Sequence, residues 1–378
     1  MARLSPVTKY YLYVATQAAW FTTPIWNVFL LAKGLSYTEL GVLNSTWWAA
    51  TVFGEVPTGY VADRIGRRAS LLLGALTHVV CVLVFGLLNT FWPILGVYTV
   101  WGVGRTFRSG AESAWLYDTL ADRMDEDRFA FVKGRGTSVS LAVAGASALV
   151  GGWLYGLDPY YPFAAAGAVT GVGAAVAATI PASETYEATD PLTPREALGV
   201  VRDAADQPAL RWFVPATVAL VALGWTVGVF IQPVSADLLR GAGVAEGRVP
   251  TLLGVLYAGF TAVSAVVTYK SGAIRERVGI ERWTRLAPVG LGVVYAASFL
   301  FPLLAVPAFF ARRAVLSATG VFRDAYVNER AETAGRATVL SAVAMLLGLA
   351  RIPARVGVGV VADATAPLAA VGLVGVLL

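Results

Sequence analysis

Six arginines lie inside long apolar stretches of the chain: Arg105, Arg108, Arg312, Arg313, Arg351 and Arg355. Only Glu55 and Glu112 oppose them at comparable positions, which leaves a formal surplus of four positive charges. A guanidinium group can bind a carboxylate or a phosphate through two parallel hydrogen bonds. If these arginines line a cavity, the surplus favours an anionic ligand, and we expect at least one of Arg105, Arg313 and Arg351 to contact it.

The same residues also admit a structural interpretation. Arg105, Arg108 and Glu112 stand at i, i+3 and i+7, so they share one helical face. An ion pair of Arg108 with Glu112 or Glu55 would make these charges structural, and Arg355 could extend its head group to a nearby interface. Both interpretations remain open from the sequence.

Glu55 and Glu112 are the predicted proton-coupling residues. A half-buried carboxylate beside an arginine can be poised to bind and release a proton, although a static Glu–Arg pair is the equally good alternative. The only histidine, His78, lies in an apolar stretch. We expect it to be a packed residue bonded to the backbone rather than a proton relay.

Several amides and indoles also interrupt the apolar stretches. An amide facing lipid would leave polar atoms unsatisfied, so these residues are expected to point inward and to line a cavity. Together with the arginines they form the predicted substrate-binding set: Gln17, Trp20, Asn27, Asn44, Trp48, Arg105, Arg108, Trp225, Gln232, Arg313 and Arg351.

Composition determines the class of protein. Of the 378 residues, 57% are hydrophobic and 14% are charged, and the mean hydropathy is +0.66. A soluble domain carries about 25% charge, so the chain is expected to be an integral membrane protein. It has no alternating ten-residue pattern of a transmembrane barrel. With one histidine, one cysteine and no nucleotide-binding or zinc motif, we expect no metal, no cofactor and no enzymatic activity.

The apolar runs predict an all-α protein of about twelve transmembrane helices. Most runs approach the roughly 20 residues that a helix needs to cross a bilayer. The last has 13 residues, so the twelfth helix is predicted to be short. The predicted spans are near 9–31, 38–61, 69–88, 91–116, 136–157, 161–181, 209–234, 250–270, 286–301, 303–322, 338–361 and from 366 onward.

Lysine and arginine predict the orientation. If the N-terminus is cytoplasmic, 20 of the 29 basic residues fall on the cytoplasmic side, 3 fall outside and 6 lie within spans. This bias follows the positive-inside rule. The net charge of +5 is therefore a signal of membrane orientation, and we expect no nucleic-acid partner.

The chain repeats itself. The stretch 59–66 matches 272–279, Arg105 matches Arg313, and 134–140 matches 335–341, at offsets of 213, 208 and 201 residues. Matches in the same order predict two six-helix halves, 1–181 and 208–378. The linker 182–207 between them is rich in charge and proline, and its part 194–205 is predicted to form a short surface helix.

The loop Gly59–Arg68 reads G-xxx-D-R-x-G-R-R and resembles the signature loop between helices two and three of the major facilitator superfamily. Glu55-Val56-Pro57-Thr58 before it and Tyr117-Asp118 in helix four resemble features of a prokaryotic drug or small-solute branch. The resemblance implies two pseudo-symmetric bundles that alternate access to a midplane site. It also implies a conformational latch, for which the residues here are Gly59, Asp63, Arg64, Gly66, Arg67, Arg68 and Asp118, with Glu276 and Arg277 in the repeated loop. Helix five lacks the Gly-Pro pair of exporters, so the direction of transport stays open.

We therefore expect a secondary transporter of a small organic anion in the cytoplasmic membrane, with an N-terminus in the cytoplasm. Protons are the expected coupling ion, possible modes include antiport, and the protein is expected to be a prokaryotic monomer. One alternative is a proton-driven multidrug exporter. Another is a non-transporting membrane sensor that uses the same fold.

Overall fold

The computed structural model describes residues 4–109, 111–121, 128–179, 202, 207–330 and 336–378. Nearly all of these residues are helical, and no strand occurs among them. The all-α prediction is confirmed. The linker 182–207 lies outside the described residues except for 202 and 207, and the helix predicted at 194–205 is likewise outside them apart from 202.

Fifteen α-helices are described, and they are numbered here in chain order. The first seven are α1 (Pro6–Ala18), α2 (Trp26–Ala32), α3 (Tyr37–Leu87), α4 (Phe91–Ser109), α5 (Ala111–Ala121), α6 (Phe129–Leu157) and α7 (Tyr161–Ala178). The other eight are α8 (Pro208–Thr226), α9 (Ile231–Gly241), α10 (Val249–Tyr269), α11 (Ser271–Val278), α12 (Ile280–Leu300), α13 (Ala305–Arg330), α14 (Arg336–Ala364) and α15 (Pro367–Leu377). Short 3₁₀ turns at Val227–Val229, Glu246–Arg248 and Pro302–Leu304 precede α9, α10 and α13.

Eight segments of the described chain are long and apolar enough to cross a membrane. The protein is therefore a multi-pass membrane protein, as its composition predicts. The total of twelve spans stays a prediction. The eight segments are Arg64–Leu87, Phe129–Leu157, Tyr161–Ala178, Leu210–Val229, Glu246–Tyr269, Ile280–Leu300, Pro302–Arg330 and Ala342–Ala364.

The first predicted span, 9–31, is not one continuous helix. Helix α1 ends at Ala18, α2 begins at Trp26, and a turn joins them. Pro24 lies in this turn, where it lacks an N–H group and restricts the residue before it. The turn brings the Trp20 indole back onto α1, where its N–H group donates to the Gln17 carbonyl.

The repeated loops share an unusual backbone conformation. Gly66 breaks α3 into two helices that meet at a kink, and it has φ 81° and ψ 163°; Gly279, between α11 and α12, has φ 75° and ψ 148°. Only glycine adopts this region readily, because a Cβ would clash there. The positions that match in sequence therefore also match in backbone geometry.

By its internal contacts the chain divides into two compact units. The first unit contains Met1–Leu35, Thr46–Glu187 and Leu239–Thr261. In it α1 packs against α6 and α7. Tyr10, Leu71, Trp115 and Val132 form part of its buried core.

The second unit contains Ser36–Ser45, Ala188–Leu238 and Ala262–Leu378. In it α12 packs against α15, and α8 packs against α14. Each unit contains residues from both sequence repeats. The boundaries of the two compact units therefore differ from those of the predicted halves 1–181 and 208–378. Those halves stay a prediction.

A carboxylate from α14 caps the start of α3 within the second unit. Asp363 accepts hydrogen bonds from the backbone N–H groups of Tyr37 and Thr38, each at 2.8 Å, and from the Thr38 hydroxyl at 2.6 Å. A carboxylate at this position satisfies free N–H groups and the positive end of the helix dipole. Burial, with the Asp237 and Asp363 carboxylates adding to it, raises the pKa of Tyr37 to about 12.

Candidate functional site

Arg105 is a predicted ligand residue on α4 of the first unit. Its guanidinium lies over the Trp47 ring, with Cζ 5.3 Å from the ring centroid. The side chain is half-buried, and the charge of Glu55 acts on it. Glu55 itself is exposed, although the sequence predicted comparable depth for the two residues. Arg105 is thus held against an indole, where it can present its charge to an anion.

Arg108, three residues further along α4, lies against the face of α3. Its Cγ packs on Gly74, where even a Cβ would overlap it. Among the described residues its buried Nη1 atom has no hydrogen-bond partner. Its charge interacts with Tyr13, His78 and Glu112, so it lies near groups of three other helices. Of these, Glu112 is the predicted proton-coupling partner.

Helix α1 contributes Tyr13 and Gln17, which stand one helical turn apart and share a face. Tyr13 has no exposed surface and Gln17 is half-buried. Neither the Tyr13 hydroxyl nor the Gln17 Oε1 atom has a hydrogen-bond partner within the described chain. The sequence predicted Gln17 to be part of the site but gave no role to Tyr13.

His78 lies among tryptophans, one turn after Gly74 on α3. Its ring centroid is 5.0 Å from that of Trp101 and 5.8 Å from that of Trp20. The histidine is 5% exposed, which agrees with its prediction as a packed residue. Its Nδ1 atom, however, has no partner in the described part of the chain, so the predicted backbone bond is not made there.

In the second unit, two arginines surround Trp225. The Cζ atoms of Arg312 and Arg351 lie 5.4 and 5.2 Å from the Trp225 ring centroid. Arg312 Nε also donates to the Gly224 carbonyl, which fixes its guanidinium at the end of α8. Both arginines are buried, whereas Trp225 is 37% exposed. The sequence placed Arg351 and Trp225 in the ligand set but did not select Arg312.

The remaining predicted ligand residues lie in various settings. The Asn44 amide donates to Leu40 of its own helix at 2.9 Å, so part of its bonding capacity is already used. Trp48 packs edge-on against Trp47, with centroids 5.2 Å apart. Asn27 and Gln232 are buried and Arg313 is half-buried.

The predicted latch is only partly described. The side chains of Asp63 and Asp118 lie outside the described residues. Gly59, Arg64 and Arg68 are exposed and Arg67 is half-buried, and Arg64 stacks on the Tyr60 ring.

In the repeated loop, Glu276 and Arg277 are exposed. Their neighbour Arg275 makes two hydrogen bonds to Glu329 on α13, at 2.6 and 2.7 Å. Both bonds come from the Nη2 atom of Arg275, and they connect α11 to α13. Sequence reasoning did not select Arg275 or Glu329.

Metal-ligand clusters are not found in the part of the chain that the structure describes: no three His, Cys, Asp or Glu residues there are grouped to hold an ion. The chemistry available at these positions is therefore charge pairing, hydrogen bonding and ring contact.

Solved structures share this architecture. The nucleoside transporter NupG has a TM-score of 0.79 and 12% identity, with 99% of this chain and 95% of that chain covered. A bacterial homologue of the human lysosomal transporter Spinster has a TM-score of 0.72 and 17% identity over 96% and 82% of the two chains. A D-xylose–proton symporter has a TM-score of 0.68 and 13% identity over 100% and 95%. At these identities the likeness shows the fold alone.

Sequence comparison identifies the family. An uncharacterized MFS-type transporter, YxaM of Bacillus subtilis (strain 168), is 23% identical over 141 residues. The match covers 37% of this chain and 34% of that relative's length. The family model of the Major Facilitator Superfamily matches residues 12–354, which is most of the chain. The protein belongs to the Major Facilitator Superfamily of membrane transporters.

Proposed function

We propose that the protein is a secondary transporter of a small organic anion. The observation that carries the proposal is the placing of arginines on tryptophan rings: Arg105 on Trp47 in the first unit, and Arg312 and Arg351 on Trp225 in the second. A ring face occupied by a guanidinium is not available to an organic cation. The clustered positive charge also repels cations and attracts anions.

The exposed part of Trp225 supports the same proposal. Two buried guanidinium groups lie against this ring. Charged groups at membrane depth face water or protein rather than lipid. We therefore infer that the exposed surface of Trp225 lines an aqueous cavity that an anion can enter.

A ligand screen tests the proposal. Purified protein would be heated with benzoate, benzyl alcohol or benzylamine, and with aliphatic acids, alcohols and amines matched in size. A ligand at 100 times its dissociation constant stabilises a protein by about 2.7 kcal/mol. We expect acids to raise the melting temperature and amines of the same skeleton to leave it unchanged. Acids that bind would then be tested for uptake into proteoliposomes.

Arginine variants identify the contacting residue. Arg105→Gln, Arg313→Gln or Arg351→Gln should reduce the stabilisation by an acid by about 1.5–3 kcal/mol where that residue touches the ligand. Added salt should have a modest effect, because buried charges are poorly screened. If amines stabilise the protein and acids do not, the proposal is wrong.

The second candidate is proton-driven export of lipophilic drugs. The aromatic cluster of the first unit favours it: Trp26 lies 5.4 Å from Trp101 and stacks on Phe85 at 4.2 Å. Such rings can hold apolar drugs. A non-transporting sensor is the third candidate, and it would bind ligand without moving it across liposomes.

Proton coupling is proposed for Glu112 and Glu55. Glu112 is half-buried, and the charges of Arg108 and Lys133 act on it. If either carboxylate carries the proton, Glu112→Gln or Glu55→Gln should still exchange substrate across liposomes but should lose accumulation driven by a pH gradient. An unchanged response to the gradient in both variants would point to another ion or to uniport.

A latch at the Gly59–Arg68 loop is also proposed, from the family resemblance. Charge-assisted contacts at a loop form a discrete interaction that can break during the cycle. Asp63→Asn or Arg67→Ala should therefore abolish turnover while leaving substrate binding intact. Normal transport by either variant in liposomes would exclude the latch.

We further propose a monomer in a prokaryotic cytoplasmic membrane, with both termini of the 1–181 half on the cytoplasmic side. Single cysteines introduced by Ser5→Cys or Asn89→Cys, each in a Cys81→Ser background, test this orientation. They are treated in whole cells with a membrane-impermeant thiol reagent. Only the Asn89→Cys variant should react, since position 89 lies in a loop predicted to be outside.

A further inference from the structure

Four buried polar atoms of the first unit lack hydrogen-bond partners among the described residues. They are the Tyr13 hydroxyl, Gln17 Oε1, His78 Nδ1 and Arg108 Nη1, and their residues are called here the Arg108 cluster. Folded proteins satisfy the large majority of such atoms, because leaving one unsatisfied is unfavourable. Several in one region therefore call for an occupant.

The four residues are near one another although they come from three helices. Arg108 interacts electrostatically with Tyr13 and with His78. It also packs on Gly74, one turn from His78 on α3. Tyr13 and Gln17 share one face of α1.

The tryptophans connect the cluster further. Trp20 donates to the Gln17 carbonyl and packs edge-on against His78. Trp101, two turns before Arg108 on α4, packs against the same histidine at 5.0 Å. The four polar atoms therefore lie in a region that is bordered by the indole of Trp20, which is partly exposed.

We propose that the Arg108 cluster is a recognition site for an organic acid that carries a hydroxyl group. The proposal rests on the proposed transport of organic anions and narrows the class of substrate. Arg108 Nη1 can only donate, so it suits a carboxylate. Gln17 Oε1 can only accept, so it needs a donor from the ligand, such as a hydroxyl group.

Tyr13 and His78 add to this recognition. The tyrosine hydroxyl can donate or accept, and the free nitrogen of the histidine does one or the other according to its tautomer. A plain hydrocarbon acid would satisfy the arginine but would leave Gln17 and Tyr13 unsatisfied. Sites built to bond a hydroxyl discriminate strongly against analogues without it.

Fixed water molecules are the competing occupant. A buried water bonds to about three polar groups, so waters alone could satisfy the cluster. The two occupants differ in one respect: waters that stay in place give no preference for hydroxylated over plain acids. Ligand preference therefore separates them.

The test uses the purified full chain and pairs of acids that differ by hydroxyl groups: lactate with propionate, mandelate with phenylacetate, and gluconate with hexanoate. Affinity is measured by calorimetry or by thermal shift. We expect at least one hydroxy acid to bind about tenfold more tightly than its partner acid, as expected for one added hydrogen bond. Tyr13→Phe and Gln17→Leu should abolish this preference yet keep acid binding, and Arg108→Gln should abolish acid binding itself.

The chain offers a matched control in Tyr295. This tyrosine of the second unit is also fully buried, and its hydroxyl lacks a partner among the described residues. Tyr295→Phe should leave the preference unchanged. Tyr13→Phe removes one oxygen atom only, so a monodisperse and folded variant is expected.

The outcomes separate the two proposals. If acids bind but no hydroxy acid is preferred, or if the preference survives Tyr13→Phe and Gln17→Leu, the recognition site is wrong and water fills the cluster. If no acid binds while amines do, the proposed function fails and this site fails with it. A preference lost equally in Tyr295→Phe would also overturn the assignment to the first unit.

Discussion

Arg108 in the first unit and Arg312 in the second carry the same group inside apolar helices, but their surroundings differ. Arg312 donates to the Gly224 carbonyl and lies over Trp225. Among the described residues, Arg108 Nη1 has no hydrogen-bond partner, and Arg108 lies near Tyr13 and His78, which also carry buried atoms without one. The charge of Arg312 is fixed by the backbone and serves the structure around it, whereas the site proposed above gives Arg108 a ligand to bind.

The two arginines are also suited to different roles, because Arg312 is held in place by its surroundings. Arg312 lies close to Gly228, where a Cβ would be 2.9 Å from its Nη2 atom, so the guanidinium is held on that side as well. It is suited to orient Trp225 and to raise the positive potential there. Arg108 is suited to bind an acid directly.

The largest expected effect is on the free energy of unfolding. Arg312→Gln removes a charge-assisted bond to a buried carbonyl, so we expect the free energy of unfolding to fall by about 1.5–3 kcal/mol. Arg108→Gln should change it by less than about 1 kcal/mol, since removing a poorly paired buried charge offsets the lost packing. Equilibrium unfolding in mixed micelles measures both. If both variants lose the same unfolding free energy, Arg312 and Arg108 do not differ in their structural role.

A glycine substitution tests the placing of Arg108. In Gly74→Ala the new Cβ would overlap Arg108 Cγ and displace the arginine. Since a charged hydrogen bond is worth about 1.5–3 kcal/mol, its partial loss should lower acid affinity about tenfold.

Gly96→Ala on α4 is the control, because a Cβ there meets nothing within 4 Å. It should leave acid affinity unchanged and should stabilise the helix by about 0.5–1 kcal/mol. Calorimetry with the acid found in the ligand screen compares the two variants. Unchanged affinity in Gly74→Ala would show that the position of Arg108 is unimportant.

The smallest expected effect concerns the ring contact. Trp225→Leu and Arg312→Gln, alone and combined, form a double-mutant cycle on unfolding free energy. We expect a coupling of about 0.5–1 kcal/mol, the usual contribution of a partly exposed cation–π pair. The same cycle with exposed Arg285 in place of Arg312 should give no coupling. A coupling near zero for Arg312 would mean that the contact between Arg312 and the Trp225 ring does not stabilise the protein.

Much of the fold follows from hydropathy. Long apolar runs with few charges predict membrane helices because the bilayer leaves the backbone no other means of satisfying its polar groups. The break in the first span was harder to predict. Pro24 marks it, but proline also occurs inside α8 at Pro215 without ending the helix. Tertiary packing decides between the two outcomes.

The candidate site could be predicted only in part. Arg108 and Gln17 stand out because a charge or an amide in an apolar helix is expensive. His78 and Tyr13 do not, since a single histidine or tyrosine there fits ordinary packing. Their relevance depends on which atoms remain unsatisfied after three helices pack, and no local pattern contains that information.

The shared conformation of Gly66 and Gly279 has a consequence for the history and the engineering of the chain. The acidic–basic pair before these glycines is kept, as Asp63-Arg64 in one stretch and Glu276-Arg277 in the other, whereas Ala62 in the first corresponds to Arg275 in the second, and the turn itself is the same. The backbone angle and the acidic–basic pair are thus common to both stretches, while the other side chains differ. The two loops should therefore be interchangeable as modules: a chimera with 59–66 grafted onto 272–279 should fold normally and lose only the functions of the side chains it replaced.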